Sequence, residues 1–199
     1  MAGHVDGAGT RAAHNRKRRF MPKASAPVLV IVMMGVSGSG KSTIGAALAT
    51  RLGWPFRDAD SFHPPANIAK MSRGAPLTDE DRRPWLAAIA QWIDARCAAH
   101  EPGIVSCSAL KRAYRGCIIG ERKGVRLVYL KGDIGLIRQR LQARKHHFMP
   151  ASLLESQFAT LEEPGTDERP VVVSIALSPT RAVEAIIERL RLMAPPETT

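Results

Sequence analysis

The chain has 199 residues, of which 45% are hydrophobic, and a formal net charge of +11. Its size suits one α/β domain with a tail, and no apolar run reaches the roughly 18 residues of a membrane-spanning helix, so we expect no membrane span. Three cysteines that form no Cys-x-x-Cys pair predict free thiols in a cytoplasmic protein rather than disulfides or a metal site. The basic charge suits anionic ligands such as nucleotides and acids.

The first 27 residues have the composition of a disordered extension. They are rich in Gly and Ala, lack hydrophobic periodicity, and hold six Lys or Arg residues against one acidic residue. The basic cluster at 16–19 is similar to a nuclear signal or a nucleic-acid-binding patch, although a non-folding extension is the simpler interpretation. The segment has no apolar region of the kind that secretory signals contain. Met21, just before the first predicted strand, is an alternative start.

Residues 35–42, Gly-Val-Ser-Gly-Ser-Gly-Lys-Ser, match the phosphate-binding P-loop pattern. An apolar, β-branched run precedes them at 28–34, and a helical pattern follows at 43–52 and ends at Gly53. Glycines let several backbone N–H groups face one anion, and the helix N-terminus adds positive charge. This context favours a nucleotide site over a glycine-rich turn with a chance lysine. The predicted nucleotide-binding residues are Gly35, Val36, Ser37, Gly38, Ser39, Gly40, Lys41, Ser42 and Thr43.

Two carboxylates, Asp58 and Asp60, follow a short predicted second strand at 54–58. Ligands of open parallel sheets bind at the carboxyl ends of the strands, so we expect both carboxylates to face the P-loop. Phosphoryl transfer to an alcohol needs one carboxylate for Mg²⁺ and one for the hydroxyl, while Lys41 reaches the β- and γ-phosphates and the Ser42 hydroxyl ligates the metal. The spacing alone fits a surface turn equally well.

Residues 61–77 form a polar connection long enough to suggest a functional loop. Capping-box chemistry at Thr78 and Asp81 then begins a helix that is expected to run to about His100. A third strand follows at 103–107. Ser108 follows this strand where a Walker B strand has Asp, so Asp58 is the nearest candidate for the metal's carboxylate.

The C-terminal part predicts a lid between the fourth and fifth strands. A helix at 133–145 carries Arg138, Arg140 and Arg144, which form either an exposed basic face or a clamp on phosphates. A break at 146–150 separates it from a helix at 151–162, and this arrangement is typical of a movable lid. The remaining predicted elements are a fourth strand at 125–130, a fifth strand at 171–177, a last helix from Pro179 and a frayed end at 194–199.

Several further segments resemble those of one family. They are Asp58-Ala59-Asp60 with Phe62-His63-Pro64; Asn67, Lys70-Met71, Gly74 and Pro76-Leu77; residues 79–86; Cys107 to Lys111 with Tyr114-Arg115; Leu130-Lys131-Gly132; and His147 to Pro150 with Ser156 to Phe158, Leu161 and Glu162. Through these segments residues 28–190 resemble the P-loop gluconate kinases, relatives of shikimate and adenylate kinases. The departures are Ala59 where glycine is frequent, Gly116 where Asp usually follows Tyr-Arg, and His146 where glycine precedes His-Phe.

The resemblance implies a three-layer α/β P-loop kinase fold at 28–193. Its five-stranded parallel sheet would have the order 2-3-1-4-5, with helices on both faces and a small helical lid at about 138–165. The implied activity is ATP-dependent, Mg²⁺-requiring phosphorylation of D-gluconate at the 6-hydroxyl to 6-phospho-D-gluconate and ADP, by a homodimer. That reaction would feed sugar-acid catabolism and the pentose phosphate pathway.

The resemblance also implies a role for individual residues. Asp60 would hold the 6-hydroxyl and accept its proton, and Asp58 would lie behind Mg²⁺. The candidates for gripping the polyol and its carboxylate are His63, Lys70, Arg82 and Lys111, and the lid arginines over ATP are Arg140 and Arg144.

Two other functions remain open at this point. One is a different small-molecule or nucleotide kinase. The other is an NTPase that binds nucleic acid through the basic extension, although the aromatic–basic interleaving of single-strand binders is missing from the sequence.

Overall fold

A computed structural model of the chain describes Met1, residues 27–142 and residues 151–192. Most of the predicted basic extension, the predicted break at 146–150, Arg144 and the C-terminal tail from 193 lie outside the described residues. The predictions made for them therefore stay predictions.

Five parallel strands form one sheet of order β2-β3-β1-β4-β5, as the family resemblance implied. The strands are β1 (Val30–Met34), β2 (Phe56–Asp58), β3 (Gly103–Ser106), β4 (Val125–Lys131) and β5 (Val171–Ser174). The second strand starts later than predicted, after Pro55, which has no N–H to offer a strand ladder. Every residue of the central strand β1 is fully buried, which explains its unbroken apolar sequence.

Seven α-helices cover the sheet within the described residues. They are α1 (Lys41–Leu52), α2 (Pro65–Ser72), α3 (Asp79–Ala99), α4 (Arg112–Ile118), α5 (Ile134–Gln142), α6 (Ala151–Thr160) and α7 (Pro179–Leu190), with short 3-10 turns at Ala59–Phe62 and Thr166–Glu168. The connection at 61–77 is more regular than predicted, because α2 forms two full turns with a proline at its first position. The predicted capping box of α3 is confirmed.

Alternate residues of β1 enter two separate cores. Ile31 and Met33 pack into the core that includes residues of α1 and α7, whereas Val30, Val32 and Met34 pack into the core with residues of α3. This alternation places helices on both faces of the sheet and gives the three layers expected. No helix within the described ranges is long and apolar enough to cross a membrane.

The register of the central strands brings three loops to one edge of the sheet. Ser106, the last residue of β3, is paired with Met33 of β1 on one side and with Asp58 of β2 on the other. The loops that follow these three strands therefore begin at the same level. Because all strands are parallel, this edge is where the carboxyl ends, and any ligand of such a sheet, are expected.

Candidate active site

The loop after β1 has the backbone of an anion-binding P-loop. Gly38 and Gly40 have positive φ angles of 82° and 93°, which side chains disfavour, and α1 starts directly afterwards at Lys41. A Cβ at Gly38 would also come within 3.0 Å of Ile137 and Leu141. The α5 helix thus lies directly on the loop, and both the positive φ and this close approach favour glycine at position 38.

The Lys41 side chain curls back over the loop that precedes it. Its Nζ donates a hydrogen bond of 3.1 Å to the Val36 carbonyl. Burial lowers the pKa of Lys41 from its ordinary value, against the opposing influence of Cys107, Asp60 and Asp58. No carboxylate among the described residues lies at salt-bridge distance from this ammonium, which leaves it suited to an incoming phosphate.

The Ser42 hydroxyl connects the P-loop to residues 58–60, Asp-Ala-Asp, which we call the acidic turn. It donates a hydrogen bond of 2.8 Å to Asp58 Oδ2, while Asp58 Oδ1 accepts the N–H of Asp60. Ser42 Oγ and Asp58 Oδ2 thus form a pair of hard oxygen ligands beside the P-loop, of the kind that Mg²⁺ prefers. Asp58 is also paired with Ser106, whose buried hydroxyl has no hydrogen-bond partner among the residues that the structure describes.

This donor set fits Mg²⁺ better than a softer metal. No group of three or more His, Cys, Asp or Glu side chains suited to a metal occurs within the described residues. Mg²⁺ commonly takes one or two carboxylate or hydroxyl ligands from the protein and completes its shell with phosphates and water. Ser42 and Asp58 supply such oxygens.

Trp85 of α3 supports the acidic turn through a hydrogen bond and a ring contact. Trp85 is buried, and its indole N–H donates a hydrogen bond of 2.7 Å to the Ala59 carbonyl, between Asp58 and Asp60. The same indole stacks on the His63 ring, with the ring centres 4.5 Å apart and an interplanar angle of 8°. These contacts fix the direction in which the turn leaves the sheet.

His63 has charged neighbours of opposite sign, Asp60 of the acidic turn and Arg82 of α3. Burial lowers its pKa from the ordinary value, with a smaller lowering by Arg82 and an opposing influence of Asp60. The Asn67 amide nitrogen lies 3.4 Å from His63 Nδ1 and donates to the Asp81 carbonyl. The lowered pKa favours the neutral form of the His63 imidazole.

Lys70 is bound by a carboxylate of the protein. Its Nζ lies 2.6 Å from Asp81 Oδ2, and the same oxygen accepts hydrogen bonds from the N–H and hydroxyl of Thr78. The Lys70 and Thr78 hydrogen bonds lower the pKa of Asp81 to about 2. Lys70 thus contributes to the cap of α3 in this structure.

Lys111 is bound in the same way by Asp79. Its Nζ donates to both carboxylate oxygens, at 3.0 and 2.8 Å, and the Tyr114 hydroxyl donates to the same carboxylate. The Lys111 and Tyr114 hydrogen bonds lower the pKa of Asp79, and the Asp79 hydrogen bond raises that of Lys111. The guanidinium of Arg82 lies 5.9 Å from the centre of the Tyr114 ring. Arg82, Lys111, Asp79 and Tyr114 form what we call the acceptor cluster.

The loop that carries Lys111 is held by a buried arginine. Arg115 is 2% exposed and binds both carboxylate oxygens of Glu168, at 2.6 and 2.9 Å. It also donates to the carbonyls of Ala109, Leu110 and Glu162. Because this buried charge has both an ionic partner and carbonyl acceptors, it can lock the loop after β3 in place.

Most predicted site residues therefore gather at one edge of the sheet. Lys41, Ser42, Asp58 and Asp60 adjoin one another. His63 lies next to them, because, besides burial, both Asp60 and Arg82 of the acceptor cluster shift its pKa.

The predicted lid arginines are a different case. Arg140 donates a hydrogen bond to the backbone carbonyl of Ile175, just past β5. Arg144 lies outside the described residues. Their predicted position over ATP is thus untested.

Four residues of the site had no predicted role. Asp79, Trp85 and Tyr114 belonged to the family-like segments but were given no function. The Gln157 carboxamide contacts the P-loop, where its oxygen accepts the Ser37 N–H at 2.7 Å and its nitrogen donates to the Ser37 hydroxyl at 2.9 Å. No local pattern reports such contacts, and only the family-like segments had drawn attention to these positions.

Comparison with known proteins agrees with this geometry. The sequence model of the shikimate kinase family matches residues 37–190. The chain is 48% identical to a gluconokinase of Gluconobacter oxydans, over 81% of this chain and 90% of that protein. It is 43% identical to the thermoresistant gluconokinase of Escherichia coli, over 78% of this chain and 89% of that protein.

Solved structures show the same relationship. The crystal structure of a gluconokinase from Sinorhizobium meliloti superposes with a TM-score of 0.74 at 46% identity, covering 84% of this chain and 94% of that one. A shikimate kinase from Bacteroides thetaiotaomicron has a TM-score of 0.60 at 19% identity, covering 82% and 99%, which shows the shared fold alone. Identity above 40% over most of both chains, together with the P-loop and the acidic turn, establishes that this chain is a kinase and belongs to the gluconokinase family of shikimate-kinase-like P-loop proteins.

Proposed function

We propose that the chain transfers the γ-phosphoryl group of ATP to the 6-hydroxyl of D-gluconate, giving 6-phospho-D-gluconate and ADP. One observation carries this proposal: the hydrogen bond between Ser42 and Asp58 joins the phosphate-binding loop to the turn that bears Asp60. A donor nucleotide and an acceptor alcohol can meet only where these two parts adjoin. The gluconokinase names of the relatives support the choice of sugar acid.

The nucleotide would bind along residues 35–43. Backbone N–H groups and the N-terminus of α1 face its phosphates, and Lys41 neutralises charge on the β- and γ-phosphates. Ser42 would hold Mg²⁺ directly, with Asp58 behind it. When bound, the metal neutralises the charge that develops on the phosphate oxygens during transfer.

Asp60 would serve the acceptor alcohol. As the 6-hydroxyl oxygen forms its bond to the γ-phosphorus, the bond from phosphorus to the β–γ bridging oxygen breaks and ADP leaves. The hydroxyl proton passes to the Asp60 carboxylate. Against the larger lowering by burial, the Asp60 carboxylate raises the pKa of Lys41, which supports placing the proton acceptor and the phosphate ligand in one site.

The sugar acid would lie between Asp60 and the acceptor cluster. Gluconate has one carboxylate and several hydroxyls, so it needs cations at one end and short polar groups along its length. We assign its carboxylate to Lys111 and Arg82, and its hydroxyls to His63 and Lys70. Lys111 already binds Asp79, so the substrate carboxylate must share or replace that contact.

Three further features belong to the proposal. Arg140 and Arg144 would approach the phosphates when the nucleotide is bound, where arginine stabilises transferring phosphoryl groups. The protein would act as a homodimer in the cytoplasm. Its product would feed sugar-acid catabolism and the pentose phosphate pathway.

An assay of ADP release tests the substrate assignment. ATP, Mg²⁺ and the full chain are combined in turn with gluconate, shikimate and nucleoside monophosphates, with Lys41→Ala as the inactive control. We expect release only with gluconate, and ³¹P and ¹³C NMR of the product should place the phosphate on carbon 6. Release with shikimate or a nucleotide but not with gluconate would contradict the proposal. Sedimentation of the same sample at several concentrations tests the homodimer.

A further inference from the structure

Gln157 joins α6 to the P-loop across 120 residues of sequence. Its side-chain oxygen accepts the Ser37 N–H at 2.7 Å, and its side-chain nitrogen donates to the Ser37 hydroxyl at 2.9 Å. One carboxamide therefore makes two hydrogen bonds of opposite sense with one residue. This pairing specifies the orientation of both side chains, yet the proposed reaction assigns no role to Gln157.

The helix that presents Gln157 is firmly placed. Leu154 of α6 is 2% exposed and lies in the core beside α1 and α7, and Phe158 packs against the same core. Just after the helix, the Glu162 N–H donates a hydrogen bond of 2.9 Å to the Leu110 carbonyl. Gln157 therefore reaches the loop from a packed element rather than from a freely moving surface.

Ser37 lies within a tight turn of the P-loop. The Ser39 N–H donates to the Val36 carbonyl at 3.2 Å, which closes the turn around Ser37 and Gly38. Lys41 Nζ donates to the same Val36 carbonyl. Gln157 therefore binds the one turn whose shape also sets the position of the lysine ammonium.

The neutral amide at position 157 is chemically informative. A glutamate there could accept both the N–H and the hydroxyl of Ser37, so the same contacts are open to a carboxylate. A carboxylate, however, would place a negative charge beside a loop that must receive a triphosphate, and like charges at close range repel. Glutamine makes the contacts without this repulsion, which suits a neighbour of bound phosphate better than a purely structural tie.

We propose that Gln157 is a positioning residue for nucleotide binding: its carboxamide holds the Ser37 turn in the shape that receives the phosphates. It thereby couples α6 to the occupancy of the P-loop. The inference rests on the assignment of residues 35–43 as the nucleotide site. It does not depend on which sugar acid is the acceptor.

Direct binding measurements test the inference. Dissociation constants for ADP and ATP with Mg²⁺ are measured by calorimetry on the full chain, without gluconate, for wild type, Gln157→Ala and Gln157→Glu. Ser156→Ala, an exposed position on the same helix, is the matched control. We expect Gln157→Ala to weaken both nucleotides about tenfold, the effect of losing about 1.4 kcal/mol. Gln157→Glu should weaken ATP by more, and added salt should reduce that excess because it screens the new charge.

A double-mutant cycle with Ser37→Ala separates positioning from general loosening of the helix. Ser37→Ala removes only the hydroxyl contact, so Gln157→Ala should cost less affinity in that background than in wild type. The Michaelis constant for gluconate should stay within about twofold of wild type throughout, since the acceptor side is untouched.

Two outcomes would overturn the proposal. One is unchanged nucleotide affinity in Gln157→Ala. The other is an equal loss of nucleotide and gluconate affinity with a lowered melting temperature in both Gln157 variants, because it would show that α6 had simply come loose. If wild type binds ADP but does not phosphorylate gluconate, the proposed function fails while the binding constants still decide the role of Gln157.

Discussion

The two ends of the proposed cleft are built in different ways. The phosphate end is one contiguous loop that leads directly into the N-terminus of α1, and Lys41 Nζ donates to a backbone carbonyl of this loop. The acceptor end gathers side chains from several elements, and its two lysines are bound by the protein's own carboxylates, Lys70 by Asp81 and Lys111 by Asp79.

This difference predicts different costs of binding at the two ends. Backbone amides at the start of α1 are held in position by the helix itself, so a phosphate that binds there requires no competing carboxylate to be displaced. At the acceptor end, a substrate carboxylate must compete with a carboxylate that is already present. Substitutions at the phosphate end should therefore act on turnover, whereas substitutions at the acceptor cluster should act on the Michaelis constant for the sugar acid.

The strongest test of the comparison is Lys41→Ala. It removes the P-loop ammonium that we assign to the transferring phosphate, so we expect kcat to fall about 10³-fold or more. Circular dichroism should show an intact fold, and Lys123→Ala, an exposed lysine at the start of the β4 region, should keep wild-type activity. Near-normal turnover in the Lys41 variant would remove the P-loop from the chemistry.

Asp60→Asn tests the point where the two ends meet. The amide keeps the size of the side chain but cannot accept the hydroxyl proton, so kcat should fall roughly 10²-fold. The Michaelis constant for ATP should change less than about twofold. Steady-state kinetics with each substrate varied in turn will measure both, with Asp94→Asn on the far part of α3 as the control. An unchanged kcat would exclude Asp60 as the proton acceptor.

Lys111→Met tests the acceptor cluster. Losing a cation that pairs with the substrate carboxylate should raise the Michaelis constant for gluconate about 10- to 50-fold and leave that for ATP nearly unchanged. The matched variant Asp79→Asn removes the competing carboxylate and should instead lower the Michaelis constant for gluconate by a few-fold. If both variants change this Michaelis constant in the same direction, Asp79 orients Lys111 rather than competing with the substrate.

The smallest expected effect is on the pH dependence of stability. Because burial lowers the pKa of His63 below its ordinary 6.5, the folded state binds this proton less readily than the unfolded chain. The stability from His63 is therefore fully present above pH 6.5 and declines as pH falls toward the folded pKa. Between pH 7.5 and 5.5 the melting temperature of wild type should fall more than that of His63→Gln. An equal or larger fall of the melting temperature in His63→Gln would contradict the lowered pKa of His63.

The sequence could predict the phosphate end because its signals are local. The glycines, the lysine and the flanking strand and helix lie within about 25 consecutive residues, and each has a backbone requirement that only certain residues meet. The capping box of α3 was predictable for the same reason, since Thr78 and Asp81 are three residues apart. The helix α2 was underestimated because its eight residues contain too few apolar positions to show a clear period.

At the acceptor end, the important contacts join residues that are far apart in the sequence, so local patterns could not predict them. Trp85 meets Ala59 across 26 residues, Lys111 meets Asp79 across 32, and Gln157 meets Ser37 across 120. Family-like segments marked these positions, but neither periodicity nor spacing could pair them. The carboxylate partners of Lys70 and Lys111, which change what a substrate must do to bind, are visible only in the folded chain.

By itself, the sequence determined that a strand, a glycine loop and a helix follow one another, and it predicted an anion site there, because steric limits on the backbone act between neighbouring residues. It also indicated the kinase family through segments spread along the chain. Only the tertiary structure decided which charges neutralise one another and that α5 and α6 both contact the phosphate loop. Those contacts depend on how the packed layers bring together residues that are far apart in the sequence, and no short stretch of sequence specifies which of them will meet.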